Sequence, residues 1–151
     1  MSAGFAIPLA VRQRIDQALA QRHPMLLACT TPEGQPVLSF RGSVQCEGED
    51  ALALWIRKPD GLLMRCITAN PRVALMYRDE SAKATYQFQG RARVDATPAV
   101  RDALFARMPQ AERDHDPQRQ GVVLVIDLDR IEGYAGLDPQ GRIDPVLLQR
   151  H

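Results

Sequence analysis

Hydrophobic and polar positions along the chain change period several times, and each change marks an element. Between Leu9 and Arg22, the residues Val11, Ile15, Ala18 and Leu19 recur at the spacing of one helix face. His23-Pro24 closes that helix, because a proline pushes its predecessor out of the helical region. Met25 to Thr31 then reads as a strand, and Thr31-Pro32-Glu33-Gly34-Gln35 as a turn. Pro36 to Cys46 reads as a second strand, with Val37, Phe40 and Val44 apolar and Arg41, Ser43 and Gln45 polar. After the solvated turn Glu47-Gly48-Glu49-Asp50, the run Ala51 to Ile56 is a third strand. Three strands with short connections predict an antiparallel meander.

Pro59-Asp60-Gly61 breaks the alternation. Asp60 is placed to cap a short helix in which Leu62, Leu63, Cys66 and Ile67 repeat at helical spacing, and Asn70-Pro71 ends it. Arg72–Arg78 and Ala84–Asp95 read as two further strands around a polar turn, and Gly90 signals a bulge or a close backbone approach within the second. Thr97-Pro98 has the form of a helix start, with Val100, Ala103, Leu104 and Met108 as its apolar stripe. Pro109 to Gln120 reads as a polar loop. Gly121 to Leu128, the most apolar run, predicts a central strand that continues past Asp129-Arg130 to Tyr134. The tail, residues 137–151, carries Pro139, Gly141 and Pro145 and is expected to be irregular. Six antiparallel strands, one leading helix and two inserted helices predict a small β-barrel of the α+β class in a single domain, residues 1–151, with its core at about residues 22–136.

Composition narrows the function classes. Nineteen basic residues stand against 18 acidic ones, so no basic cloak for nucleic acid is present. No stretch reaches the ~18 apolar residues of a membrane span, and the first residues lack the basic start and apolar run of a signal peptide. Cys29, Cys46 and Cys66 are odd in number, fall in no zinc or redox spacing and have apolar neighbours, so buried thiols in a cytoplasmic protein are expected. Seventeen of the 19 basic residues are arginines, whose planar fork suits phosphate and carboxylate.

Candidate chemistry is sparse. There is no glycine-rich phosphate loop and no nucleophile elbow. His23, His115 and His151 form no metal spacing, and Asp114 and Asp116 flank His115 in a polar loop, so no metal is expected. Arg41 and Ser43 share one strand face, Arg57 and Lys58 end the third strand, and Arg65 lies one turn into the short helix. Arg41 approaches Arg57 only if the strand register allows it. Such a group at a helix start, where backbone N–H groups are free, is a candidate anion cradle.

From about Arg22 to Gly136 the chain resembles the pyridoxamine 5′-phosphate oxidase-like, FMN-binding split-barrel superfamily. The resemblance is carried by Leu38-Ser39-Phe40-Arg41-Gly42-Ser43-Val44, Leu54-Trp55-Ile56-Arg57, Ala69-Asn70-Pro71-Arg72-Val73-Ala74-Leu75 and Phe88-Gln89-Gly90-Arg91-Ala92-Arg93-Val94, in that order. It implies a six-stranded Greek-key barrel that forms a homodimer and holds FMN between the subunits. It places Arg41, Gly42, Ser43 and Val44 at the flavin, with Trp55 and Ile56 at the end of the third strand. Thr85, Tyr86 and Gln87 would come from the other subunit. Arg57, Lys58 and Arg65 are the remaining candidates for cofactor contact.

One departure stands out. The Ser-Arg-Lys-like triplet with which many flavin-binding members grip the phosphate falls here on Gly61-Leu62-Leu63, which offers no hydroxyl and no cation. The aromatic and arginine-rich C-terminal segment that grips pyridoxamine phosphate is also absent from this sequence. The resemblance therefore implies a flavin-dependent oxidoreductase for an unidentified small molecule, other than a true pyridoxamine phosphate oxidase. The alternative is a binding or sensing module on the same barrel that holds haem, a deazaflavin or no cofactor. Haem would need one of the histidines or a methionine as axial ligand.

Overall fold

A computed structural model describes residues 4–150. The helix α1 (Leu9–Asp16) buries Val11 and Ile15, as the periodicity predicts. It ends a turn and a half earlier than expected. The chain continues to Arg22 as turns, and Arg22 takes a left-handed φ of 63° that swings Pro24 into an extended path. Asp16, the last residue of α1, accepts a hydrogen bond from the Cys46 N–H at 2.7 Å and ties this end of the helix to the sheet.

Eight strands follow: β1 (Met25–Thr30), β2 (Pro36–Arg41), β3 (Gln45–Glu47), β4 (Ala51–Ile56), β5 (Arg72–Asp79), β6 (Ala84–Asp95), β7 (Val122–Leu137) and β8 (Ile143–Gln149). Between them lie α2 (Leu62–Ala69), α3 (Pro98–Arg107) and the single turn α4 (Gln110–Arg113). All strand pairs are antiparallel, in the order β2-β1-β5-β6-β7-β4-β3, with β8 added to the second half of β7. The α+β class is as expected, but the count of six strands is not, and no ladder joins the end strands β2 and β3.

Two corrections account for the extra strands. The predicted second strand is two, because the chain turns at Gly42 to Val44: β2 pairs with β1, while β3 pairs with β4. The turn also reverses which side chains face inward, so Phe40 is 71% exposed whereas Ser43 and Gln45 are buried. The tail is not irregular. The Asp138 carboxylate accepts the N–H groups of Gln140 and Arg142 and closes a hairpin onto β8. Gly141 supplies the left-handed φ of 77°, and Pro145 is tolerated because β8 is an edge strand.

One face of the curled sheet encloses the main core, where Leu27, Leu54, Leu75, Phe88, Leu124 and Ile126 meet Val11 and Ile15 of α1 and Leu63, Cys66 and Ile67 of α2. A second, smaller core lies outside β4 and β7. There Ala53, Trp55, Val123 and Val125 pack against Leu104 and Phe105 of α3 and Met108 just beyond its end. This second layer is why Ala51–Ile56 reads as an unbroken apolar run: β4 is covered on both faces. Phe105 takes the place in the α3 stripe expected of Ala103, which is exposed. The bulge signalled by Gly90 is present, as the β6–β7 register shifts between Gln89 and Gly90. All three cysteines are buried and free. No helix among the described residues is long and apolar enough to cross a membrane.

Candidate functional site

The break between β2 and β3 opens a cleft of about 290 Å³ against the start of α2. The β3–β4 register pairs Gln45 with Ala53. Continued outward, it sets Ser43 opposite Trp55, where the Trp55 N–H donates to Ser43 Oγ at 2.9 Å and the hydroxyl donates back to the Trp55 carbonyl at 3.3 Å. Regular pairing stops there. The same register carries Arg41 toward Arg57, and with no ladder between them both guanidinium groups line the cleft.

Arg41, Gly42, Ser43, Trp55, Ile56, Arg57 and Lys58 all line this cleft, so seven of the twelve residues expected at the site converge. The register that the sequence left open is the one that brings Arg41 and Arg57 together. Arg65 points elsewhere, into a shallow groove with Pro32, Pro59 and Met64. Val44 faces the main core. On β6 the alternation of a strand separates the three expected residues. Tyr86 is fully buried, stacks on Tyr77 at 5.4 Å and accepts a hydrogen bond from Arg14 at 2.8 Å, while Thr85 and Gln87 face outward beside Glu132 and Tyr134.

The cleft is cationic and its cations are unspent. Arg41 donates Nε–H to Ser39 Oγ at 3.0 Å, and its terminal nitrogens meet no acceptor among the described residues. Arg57 and Lys58 make no ion pair or side-chain hydrogen bond among these residues. Burial, with the neighbouring Arg57 charge adding to it, holds the Arg41 guanidinium below its ordinary pKa. Gly61 rather than Asp60 is the cap residue of α2, and no side chain caps the helix, so its first N–H groups at Leu62 and Leu63 are left for a ligand in the cleft that these two residues line.

The sequence reading missed Glu112. It sits on α4, within the segment read as a loop, and its side chain reaches the cleft over Gly42. A Cβ at position 42 would lie 2.6 Å from Glu112 Oε1 and 3.1 Å from Leu19 Cδ2, so only glycine leaves room for this approach. Pro109 followed by the helix formers Gln110-Ala111-Glu112-Arg113 was the available signal. The segment is anchored by Asp116, which is 8% exposed. Its carboxylate accepts the Trp55 indole N–H at 2.8 Å, the Gly121 N–H at 2.8 Å and the Gln120 N–H at 3.0 Å. Burial alone would raise the Asp116 pKa, but these hydrogen bonds and the Arg101 charge outweigh it and hold the group below the usual carboxylate value.

A row of outward-facing side chains, apolar at Phe40, Leu26, Met76 and Leu147 and polar at Gln87 and Glu132, runs from the cleft across the outer face of the sheet. The registers align Phe40, Leu26, Met76, Gln87, Glu132 and Leu147 in one row over six strands. Phe40 belongs to both the row and the cleft lining. Leu38 and Tyr134 extend the exposed apolar surface on either side. Among the described residues no group of three metal-ligating side chains gathers. His23 packs edge-on to Tyr77 and pairs with Asp79 at 3.6 Å, and His115 is exposed; neither lines the cleft. His151 lies outside the described residues.

Fold and site together define an α+β protein on one antiparallel sheet, with a cationic cleft where the sheet is open. A sequence profile described as pyridoxamine 5′-phosphate oxidase matches residues 11–134, and the chain belongs to that family. No curated protein matches it. Among solved structures it is similar to HupZ of Group A Streptococcus, at 20% identity over 79% of this chain and 90% of that one, with a TM-score of 0.59. General stress protein 26 of Bacillus anthracis is similar at 18% identity over 93% and 99%, also at 0.59. An F420 reductase is similar at 21% identity over 83% and 98%, with a TM-score of 0.60. At these identities the likeness is one of fold.

Proposed function

We propose that the chain is a homodimeric flavin-binding protein that takes FMN by its phosphate in the cleft between β2, β4 and α2, and works as an oxidoreductase on a small molecule. The observation that carries this reading is the set of three unpaired cations, Arg41, Arg57 and Lys58, at an uncapped helix start. Arg41 is half-buried and has no counter-ion, which is costly, and Arg57 and Lys58 stand exposed at the rim; a phosphate dianion would satisfy all three through charge-assisted hydrogen bonds. Arg57 and Lys58 thus supply the cations that Gly61-Leu62-Leu63 lacks, while Leu62 and Leu63 contribute backbone N–H groups. When bound, the flavin would supply the hydride or electron transfer. The protein would position it and exclude water, and no acid or base is assigned.

A second copy is the natural cover for the exposed apolar side chains Leu38, Phe40 and Met76 beside the cleft. Such a dimer would bring the outward-facing Thr85 and Gln87 of one subunit toward the surface that adjoins the other's cleft. A phosphate-bearing deazaflavin is a second reading, favoured by the likeness to an F420 reductase, because the cations do not discriminate between ring systems. The test is the absorption spectrum of the purified protein with fluorescence titrations of FMN, riboflavin and a deazaflavin phosphate. Binding of FMN well above riboflavin supports the first reading, and preference for the deazaflavin the second. A colourless protein that binds none of them refutes both.

A further inference from the structure

The charge inside the cleft is not simply maximised. Three side chains that line it are cationic, Arg41, Arg57 and Lys58, and one is anionic, Glu112, which leaves a net charge of two positive units. The Glu112 carboxylate accepts no hydrogen bond among the described residues, yet it is held in the cleft by construction. Gly42 clears the space for it, and the Asp116 anchor on Trp55 and Gly121 holds the following segment against β4. An unpaired carboxylate so placed repels any incoming anion, and the repulsion grows with the anion's charge. A phosphate monoester carries about −1.5 to −2 at neutral pH. That matches the net charge of the cleft, whereas a diphosphate exceeds it.

We propose that Glu112 is a specificity-determining residue, which limits the positive charge beside Gly42 so that the cleft prefers a phosphate monoester over more highly charged anions. This deepens the flavin reading and rests on it only for the identity of the monoester. Glu112 acts here by its charge.

The test compares the wild-type chain with Glu112→Gln and Glu112→Asp, using FMN, riboflavin and inorganic pyrophosphate as probes. Flavin binding is followed by flavin fluorescence and pyrophosphate binding by calorimetry. Glu112→Gln is expected to tighten pyrophosphate about tenfold and FMN roughly threefold while leaving riboflavin unchanged, as loss of one nearby like charge requires. The gain shrinks as salt is raised. Glu112→Asp keeps the charge and should retain the wild-type order of affinities, which a merely structural role for the longer side chain would not give.

Equal pyrophosphate affinity in wild type and Glu112→Gln overturns the proposal. So does weaker binding of all three probes to Glu112→Gln, because the carboxylate would then be supporting the cleft rather than repelling anions. If FMN binds neither protein while Glu112→Gln tightens pyrophosphate, the role of Glu112 stands and the flavin reading falls. If FMN binds both alike and pyrophosphate is unaffected, the reverse holds. Failure of every anion to bind either protein overturns both.

Discussion

Asp116→Asn replaces a carboxylate that serves three donors at once. Oδ2 accepts both the Trp55 indole N–H and the Gly121 N–H, and Oδ1 accepts the Gln120 N–H. An asparagine has one acceptor oxygen and an amino group, so at least one of these N–H groups must face another donor. In the better orientation the Gln120 bond is lost and the other two lose their charge. Hydrogen bonds to a charged group contribute about 1.5–3 kcal/mol, and an orphaned buried donor costs about 1–3 kcal/mol. The expected loss is therefore about 2–4 kcal/mol, or roughly 5–10 °C in Tm for a chain of this size. Trp55 is the only tryptophan, so its fluorescence during thermal unfolding reads the affected site directly. The pH dependence has a definite sign. The Asp116 carboxyl is held below its ordinary value, so its contribution is full above that value and disappears as pH falls through the depressed one. The gap in Tm between wild type and variant should narrow in acid. A Tm within about 1 °C of wild type at neutral pH, or a gap that does not change with pH, would refute the reasoning.

Three other outcomes follow from the same geometry. Arg57→Gln should weaken FMN binding about ten- to a hundredfold, the value of one charge-assisted contact, and leave riboflavin binding unchanged in fluorescence titrations. Met76→Glu places a charge at the middle of the row from Phe40 to Leu147 and should convert a dimer to a monomer by light scattering, with little change in Tm. Gly133 has a φ of +145°, and a Cβ there would run into the Thr85 carbonyl of the neighbouring strand. Gly133→Ala should therefore cost at least about 3 kcal/mol in a denaturant titration, far more than an exposed substitution.

Local periodicity was a good guide wherever one element packs on one core. It set α2, β5 and β6, because their inward residues recur at the helix or strand spacing without interruption, while the long β7 was legible from its continuous apolar run, buried on both faces at Val123–Ile126. It misread two segments whose structure depends on a partner strand far away in sequence. Pro36 to Cys46 alternates well enough to pass for one strand, yet β2 answers to β1 and β3 to β4, and only Gly42 hints at the break. The tail shows prolines and a glycine, but β7 leaves its second half unpaired on one side, and that edge recruits Ile143–Gln149.

The candidate site divides in the same way. The residue types were legible in the sequence: arginines and a lysine at the strand ends, a glycine where the backbone must be approached closely, and an Asn-Pro stop that sets the length of α2. Their convergence was not, because register relates positions that no local pattern connects. A one-residue slip between β3 and β4 would have sent Arg41 and Arg57 to opposite faces. Glu112 and Asp116 were less visible still. Each looks like a solvated charge in a polar stretch, and only the packing of that stretch over Gly42 and Trp55 turns one into a cleft carboxylate and the other into its anchor. The sequence by itself determined most of the elements, the family and the supply of cations. The tertiary structure decided which of those cations remain unpaired together, since charge balance in a cleft depends on neighbours that only folding provides.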